Sequence, residues 1–263
     1  MKKITLLFVF TFVLTSLSFA QLRIGGRSID VGKAVQAASD VVTAVTLTDD
    51  DIARLSREAV EWMDANNPVA DESTEYGQRL ARLTEGMEGY MGLKLNFKVY
   101  HVVDINAFAC GDGSIRVFSA LMDVMDDDEL IAIIGHEIGH VYNTDTKDAM
   151  KNAYMMSAAM NAASAAGGTV GKLSDSQLGE LVSAFSDAQF SQKQEFAADD
   201  FGFQFCLDRG ASPYGMAQSL EKLVELSSGS QASAVQKMFS SHPDSQNRAV
   251  RVRQRADAYV EVQ

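Results

Sequence analysis

Apolar positions recur at helical spacing through most of the chain and at alternate positions in one short stretch. Ile52, Leu55, Ala59 and Met63 repeat every three or four residues behind Thr48 and the acidic Asp49, Asp50 and Asp51. A helix opens there, because a Thr cap accepts an orphan N–H and first-turn acids complement the macrodipole. Asn66-Asn67-Pro68 ends it, and a second helix is predicted over about 72–91, closed by Gly92. Leu93, Leu95, Phe97, Val99, His101 and Val103 then alternate with Lys94, Asn96, Lys98 and Tyr100, the period of a half-buried strand. This places His101 on the strand's apolar side, as a core or rim histidine. Asp112-Gly113 signals a turn and 114–121 reads as another strand, so 93–121 predicts a small antiparallel sheet.

Helices follow again. Asp126, Asp127 and Asp128 precede Leu130-Ile131-Ala132-Ile133-Ile134, which predicts a helix over about 127–144. The small-residue stretch 152–171 reads as a helix leading into Gly167-Gly168, able to pack or to cover a cleft; with Asn161 inside, it is a poor membrane span. Ser174 and Gln177 make a capping box for a long helix to about residue 207. Ser212-Pro213 opens another, and a last helix follows His242-Pro243-Asp244. The fold class expected is mainly α with a small antiparallel β-sheet (α+β), as one domain over 21–263 with 21–47 a partly ordered lead-in.

The first twenty residues read differently. Lys2 and Lys3 precede a nearly unbroken apolar run over 4–14, and Ser18-Phe19-Ala20 places small residues where a signal peptidase reads. This predicts a secretory signal peptide cleaved after Ala20, with a run too short for an anchor. No Cys follows it, so no lipid attachment is expected, and the mature chain should be soluble and periplasmic. Hydrophobic content of 46% over 263 residues suffices for a large core. The net charge of -12 excludes nucleic acid and anionic lipid as partners, since both need a basic footprint. Cys110 and Cys206 are the two cysteines. Outside the cytosol they permit a disulfide; two buried free thiols is the alternative.

The decisive string is His136-Glu137-Ile138-Gly139-His140. Two His four apart share a helix face and can reach one metal ion, while Glu137 beside them can accept a proton from the attacking water. Catalytic zinc takes three protein ligands and keeps one position open. No further His follows at a suitable spacing. In Ser191-Gln192-Lys193-Gln194-Glu195-Phe196-Ala197-Ala198-Asp199, Glu195 and Asp199 lie one turn apart. Glu195 is the candidate third ligand, and Asp199 can accept from the outer nitrogen of a ligating His. By spacing alone, two acids on a helix more often form a solvated face.

These motifs resemble the metallopeptidase family of HtpX and the CAAX prenyl endopeptidases, and within it the small periplasmic LoiP-like branch. The resemblance spans about 93–255. It includes Asn106-Ala107-Phe108-Ala109, Ser114-Ile115-Arg116-Val117 and Ser241-His242-Pro243 followed by Arg248. It implies a zincin-like fold, one zinc ion on His136, His140 and Glu195, and Glu137 as general base. His242 is implied as a donor to the tetrahedral oxyanion, with a structural histidine before Pro243 as the alternative. Arg248 is expected either to tie the last helix to a carboxylate near the site or to be a solvated surface residue beside Arg251, Arg253 and Arg255. The expected activity is endopeptidase action on envelope polypeptides, unfolded ones above all. An extended substrate would pair with the strand around 114–118, with Asn106, Ala107, Ser114 and Arg116 in that region. A zinc-binding chaperone or assembly factor is the rival reading, and envelope assembly partners would fit it. Membrane attachment and prenylated substrates do not carry over, because the mature chain lacks the spans and the lipidation cysteine.

Overall fold

The computed structural model describes residues 21–24, 27–30, 47–160 and 172–263; the predicted signal peptide lies outside them. Strands β1 (Gln21–Ile24) and β2 (Arg27–Asp30) form a small antiparallel hairpin within the predicted lead-in. Helix α1 (Asp49–Asn66) opens on Thr48 in a full capping box with Asp51. Helix α2 (Glu75–Leu83) is shorter than predicted, because Gly86 turns the chain at φ +76, a conformation glycine adopts without steric cost.

Strands β3 (Asn96–Tyr100), β4 (Ala107–Ala109) and β5 (Ser114–Phe118) form the sheet, in the order β3-β5-β4. β4 is antiparallel to β5, but β3 runs parallel to it, pairing Asn96 with Ser114 and Tyr100 with Phe118. The sheet is therefore mixed, not antiparallel throughout. The short hairpin takes one flank of β5, and β3 must return on the other.

After α3 (Ser119–Val124) comes α4 (Asp127–Tyr142), which carries the His-Glu motif. Asp126 and Glu129 close a capping box at its start, and Glu129 also meets Lys222. Every residue from Gly135 to His140 is buried, so α4 is a central helix packed on all sides. Next come α5 (Asp145–Met160), α6 (Asp175–Ser186) and α7 (Gln192–Asp208). The single helix predicted over 174–207 is two, because Ser191 and Gln194 form a second capping box that restarts the chain. Helices α8 (Gly215–Ser227), α9 (Ala232–Ser241) and α10 (Ser245–Val262) complete the chain.

One apolar cluster joins the sheet to α4 through Ile115, Val117, Ile134 and Ile138. A second joins α1, α5 and α6 through Leu55, Met63, Met150 and Leu181. A third packs α4, α7, α8 and α10 through Ala132, Phe203, Met216 and Val252. The disulfide does not form: Cys110 and Cys206 are free and buried, one in the second cluster and one in the third. Burial raises both thiol pKa values, that of Cys206 to about 12. No described helix is long and apolar enough to cross a membrane.

Candidate metal centre

Helices α4 and α7 cross at glycines. A Cβ on Gly139 would lie 3.1 Å from Ala198 Cα, and one on Gly202 2.9 Å from the Ala132 carbonyl oxygen. This close approach sets the Glu195 side chain of α7 against the two imidazoles of α4. His136 Nε2 and His140 Nε2 lie 3.1 Å apart. Glu195 Oε1 lies 3.4 Å from His140 Nε2, and Glu195 Oε2 lies 3.8 Å from His136 Nε2. His242, at the end of α9, points Nδ1 into the same space, 3.0 Å from Glu195 Oε1 and 3.3 Å from His136 Nε2. The four residues form one buried group whose ligand atoms can all face a single ion.

The far side of each ring decides what faces that space. His140 Nδ1 lies 2.9 Å from Asp145 Oδ2, and His136 Nδ1 lies 3.0 Å from Asp199 Oδ1. A neutral imidazole that donates from Nδ1 presents a lone pair at Nε2. Two such lone pairs beside a carboxylate repel one another unless a cation stands between them. Bonds of 2.0–2.2 Å at tetrahedral angles put ligand atoms roughly 3.3–3.6 Å apart, close to the separations found. The donors therefore fit a metal ion.

The wider charge balance agrees. Glu137, Asp145, Glu195 and Asp199 are buried carboxyl groups, and Arg248 is the buried guanidinium among them. Arg248 grips Asp199 with two hydrogen bonds, of 2.9 and 2.7 Å, and contacts Glu195. Burial opposes ionisation of Asp199, but hydrogen bonds from Arg248 and His136 override it and bring its pKa to about 2. Glu195 is lowered too: burial opposes this, and the charge of His242 and a hydrogen bond from His140 prevail. Without an ion, burial favours the neutral His140 ring but Asp145 and Glu195 lift its pKa to about 9, so an ion would bind at Nε2 by displacing a proton. Burial holds His136 below the usual histidine value despite Asp199. The centre thus concentrates negative potential where the ring nitrogens converge.

Glu137 lines a narrow cleft together with Asn106, Phe108, Ala109, Phe190 and His242. Its Oε1 has no hydrogen-bond partner and lies 3.7 Å from His242 Nε2. Asn106, whose Oδ1 is also buried and unpartnered, lines the same cleft.

Ser114 and Arg116, expected on a substrate-pairing strand, lie instead on central β5, whose two edges are taken by β3 and β4. Arg116 is bound to Asp64 at 2.8 and 3.0 Å and to Asn96 at 3.0 Å, and Ser114 to Asp112 at 3.0 Å. Both are structural. Ala107 lies on edge strand β4. His101 is exposed at the rim, its ring set edge-on to Tyr76. Two neighbours of the site escape the sequence reading. Phe190 stacks on the His140 ring at 3.9 Å, and Asp145 holds that ring from behind.

Residues 77–256 match the profile of peptidase family M48. The chain is 40% identical to metalloprotease LoiP of Escherichia coli over 247 residues, covering 94% of this chain and 96% of the relative. It is 38% identical to metalloprotease YcaL of the same organism over 230 residues, covering 87% and 89%. Protease HtpX of Actinobacillus pleuropneumoniae matches over a shorter stretch, 41% identical across 51 residues and 18% of each chain.

Proposed function

The chain belongs to peptidase family M48 and is a metalloprotease, and from that premise we propose a zinc-dependent endopeptidase that cleaves unfolded or misfolded envelope proteins. His136, His140 and Glu195 hold the ion. The supporting observation is the convergence of two imidazole nitrogens from one helix and a carboxylate from another, with the unpartnered Oε1 of Glu137 beside them. Two imidazoles and a carboxylate are a donor set that suits zinc. When bound, zinc supplies Lewis acidity toward a carbonyl oxygen and lowers the pKa of water toward about 7.

Glu137 takes the proton of the attacking water and returns it to the leaving amine. His242 Nε2, on the cleft side of its ring, donates to the oxyanion of the tetrahedral intermediate. Asn106 Oδ1 accepts from the substrate. The substrate strand pairs with β4. Asn106 and Cys110 exchange backbone bonds with β5, so alternation turns the backbone of Ala107 and Ala109 outward. Those two residues are 1% and 3% exposed, so pairing requires the cleft walls to part by about a strand spacing, ~4.8 Å. Only a polypeptide with unpaired backbone can enter such a slot, which favours unfolded substrates. The basic start, apolar run and small residues before Gln21 support export to the periplasm.

The test is Glu137→Gln, with metal content and digestion of native and denatured forms of one protein measured side by side. Loss of about 10²–10⁴ in kcat with zinc retained near one per chain is expected, and the parent should prefer the denatured form. Undiminished digestion by the variant, or equal digestion of both forms, would contradict the proposal. A chaperone reading gains if holdase activity is all that remains in the parent.

A further inference from the structure

We infer that Asp145 is a positioning residue of the metal centre, coupling His140 through Gln194 to the helix that carries Glu195. The inference rests on the metal reading above. Asp145 is the first residue of α5, three residues after α4 ends. Thr144 turns the chain between them at φ 64, in the left-handed region, and this tight reversal brings the Asp145 carboxylate back beneath the His140 ring. Asp145 is 6% exposed and His140 is fully buried, so water does not compete for the contact.

The carboxylate has two partners. Oδ2 faces His140 Nδ1 at 2.9 Å, and Oδ1 accepts from Gln194 Nε2 at 2.9 Å. The Gln194 amide is itself oriented, because its Oε1 accepts from Ser191 N at 2.9 Å and Ser191 Oγ at 2.8 Å. Those bonds belong to the capping box that starts α7. A continuous chain of hydrogen bonds thus runs from the beginning of α7, past the residue before Glu195, to the ring of His140. Ligands from two helices are held in register by a link that bypasses the apolar core.

The two carboxylates behind the two rings are not equivalent. Asp199 shares its charge with the Arg248 guanidinium, whereas the second oxygen of Asp145 meets only a neutral amide. Asp145 therefore polarises its imidazole more strongly. A carboxylate behind a ligating His fixes the ring tautomer and raises its basicity, and its loss typically costs tenfold to a hundredfold in metal affinity.

Three variants of the full chain test this: Asp145→Ala, Asp145→Asn and Gln194→Glu. The last keeps an acceptor for the α7 cap but sets a carboxylate against Asp145. Zn2+ affinity is read by chelator competition, the ligand field by the visible spectrum of the Co2+ form, and folding by thermal unfolding of the metal-free protein. All three should weaken Zn2+ binding, D145A by about ten- to a hundredfold, with a shifted Co2+ band and metal-free unfolding within a few degrees of the parent. Zn2+ binding by D145A within twofold of the parent, with an unmoved Co2+ band, overturns the proposal. Should D145A not fold, unchanged affinity in both D145N and Q194E overturns it instead. A parent chain that takes up no Zn2+ overturns the metal reading and the proposal together.

Discussion

Asp64 anchors a polar network inside the wall that supports the sheet. Its carboxylate accepts from Arg116 at 2.8 and 3.0 Å, from Lys98 at 2.8 Å and from Tyr100 at 2.7 Å. Burial alone would raise its pKa, but these donors hold it below the ordinary carboxylate value. A folded pKa below the unfolded one means the contribution is present above about pH 4 and is lost as pH falls through the folded value. Asp64→Asn should therefore cost roughly 2–3 kcal/mol at pH 7, because Arg116 stays buried without its counter-charge. Urea unfolding at pH 7 and pH 3 checks this, and the gap between parent and variant should narrow at the lower pH. Arg116 was legible as a residue of the strand region but not as a buried cation, since Asp64 is 52 residues away. The His136-Glu137-Ile138-Gly139-His140 string was legible because one helical turn suffices to place both rings. Asp145 was not. Five residues beyond His140 it shares no helix face, and only the left-handed turn at Thr144 folds it back.

The crossing of α4 and α7 is the element on which the site depends. Gly202 has no room for a Cβ: one would stand 2.9 Å from the Ala132 carbonyl oxygen and 3.2 Å from His136 N. Both are backbone atoms of a buried helix and cannot swing aside. In an open helix Gly→Ala gains about 1 kcal/mol. Here overpacking reverses the sign, and Gly202→Ala should destabilise by about 1–3 kcal/mol. It should also weaken metal binding by pushing Glu195 away from the imidazoles. Thermal unfolding with and without added metal separates the two effects. The helices themselves were readable from capping and period. The break between α6 and α7 was missed although Ser191 and Gln194 carry a capping box, because apolar positions run on through both helices. The strand periods were readable too, but neither the order β3-β5-β4 nor the parallel pairing is encoded in any local window.

For the whole molecule the centre acts as a clasp, drawing on α4, α7 and the end of α9, with α10 behind it through Arg248. Buried carboxyl groups outnumber the guanidinium among them, so metal removal should loosen all these helices at once. With free metal a hundredfold above Kd, binding adds about 2.7 kcal/mol of stability. Chelation should therefore lower the unfolding temperature by roughly 5–10 °C for a domain of this size, as read by scanning calorimetry. We propose that 21–263 unfold as one unit, in a single transition in both states; two separated transitions would divide it. The sequence by itself determined the helical class, the motif helix with its two imidazoles and most of the caps, because each follows from residues within a turn or two of one another; Glu195 as third ligand came from the family resemblance, not from local spacing. Tertiary structure alone decided that Cys110 and Cys206 stay apart, that β5 is central and closed to a substrate strand, and that His242, Asp145 and Arg248 gather around the two rings. Those outcomes depend on contacts between residues tens of positions apart, or for Asp145 on a left-handed turn that no helix period foretells, and they form only when the packed core brings their elements together.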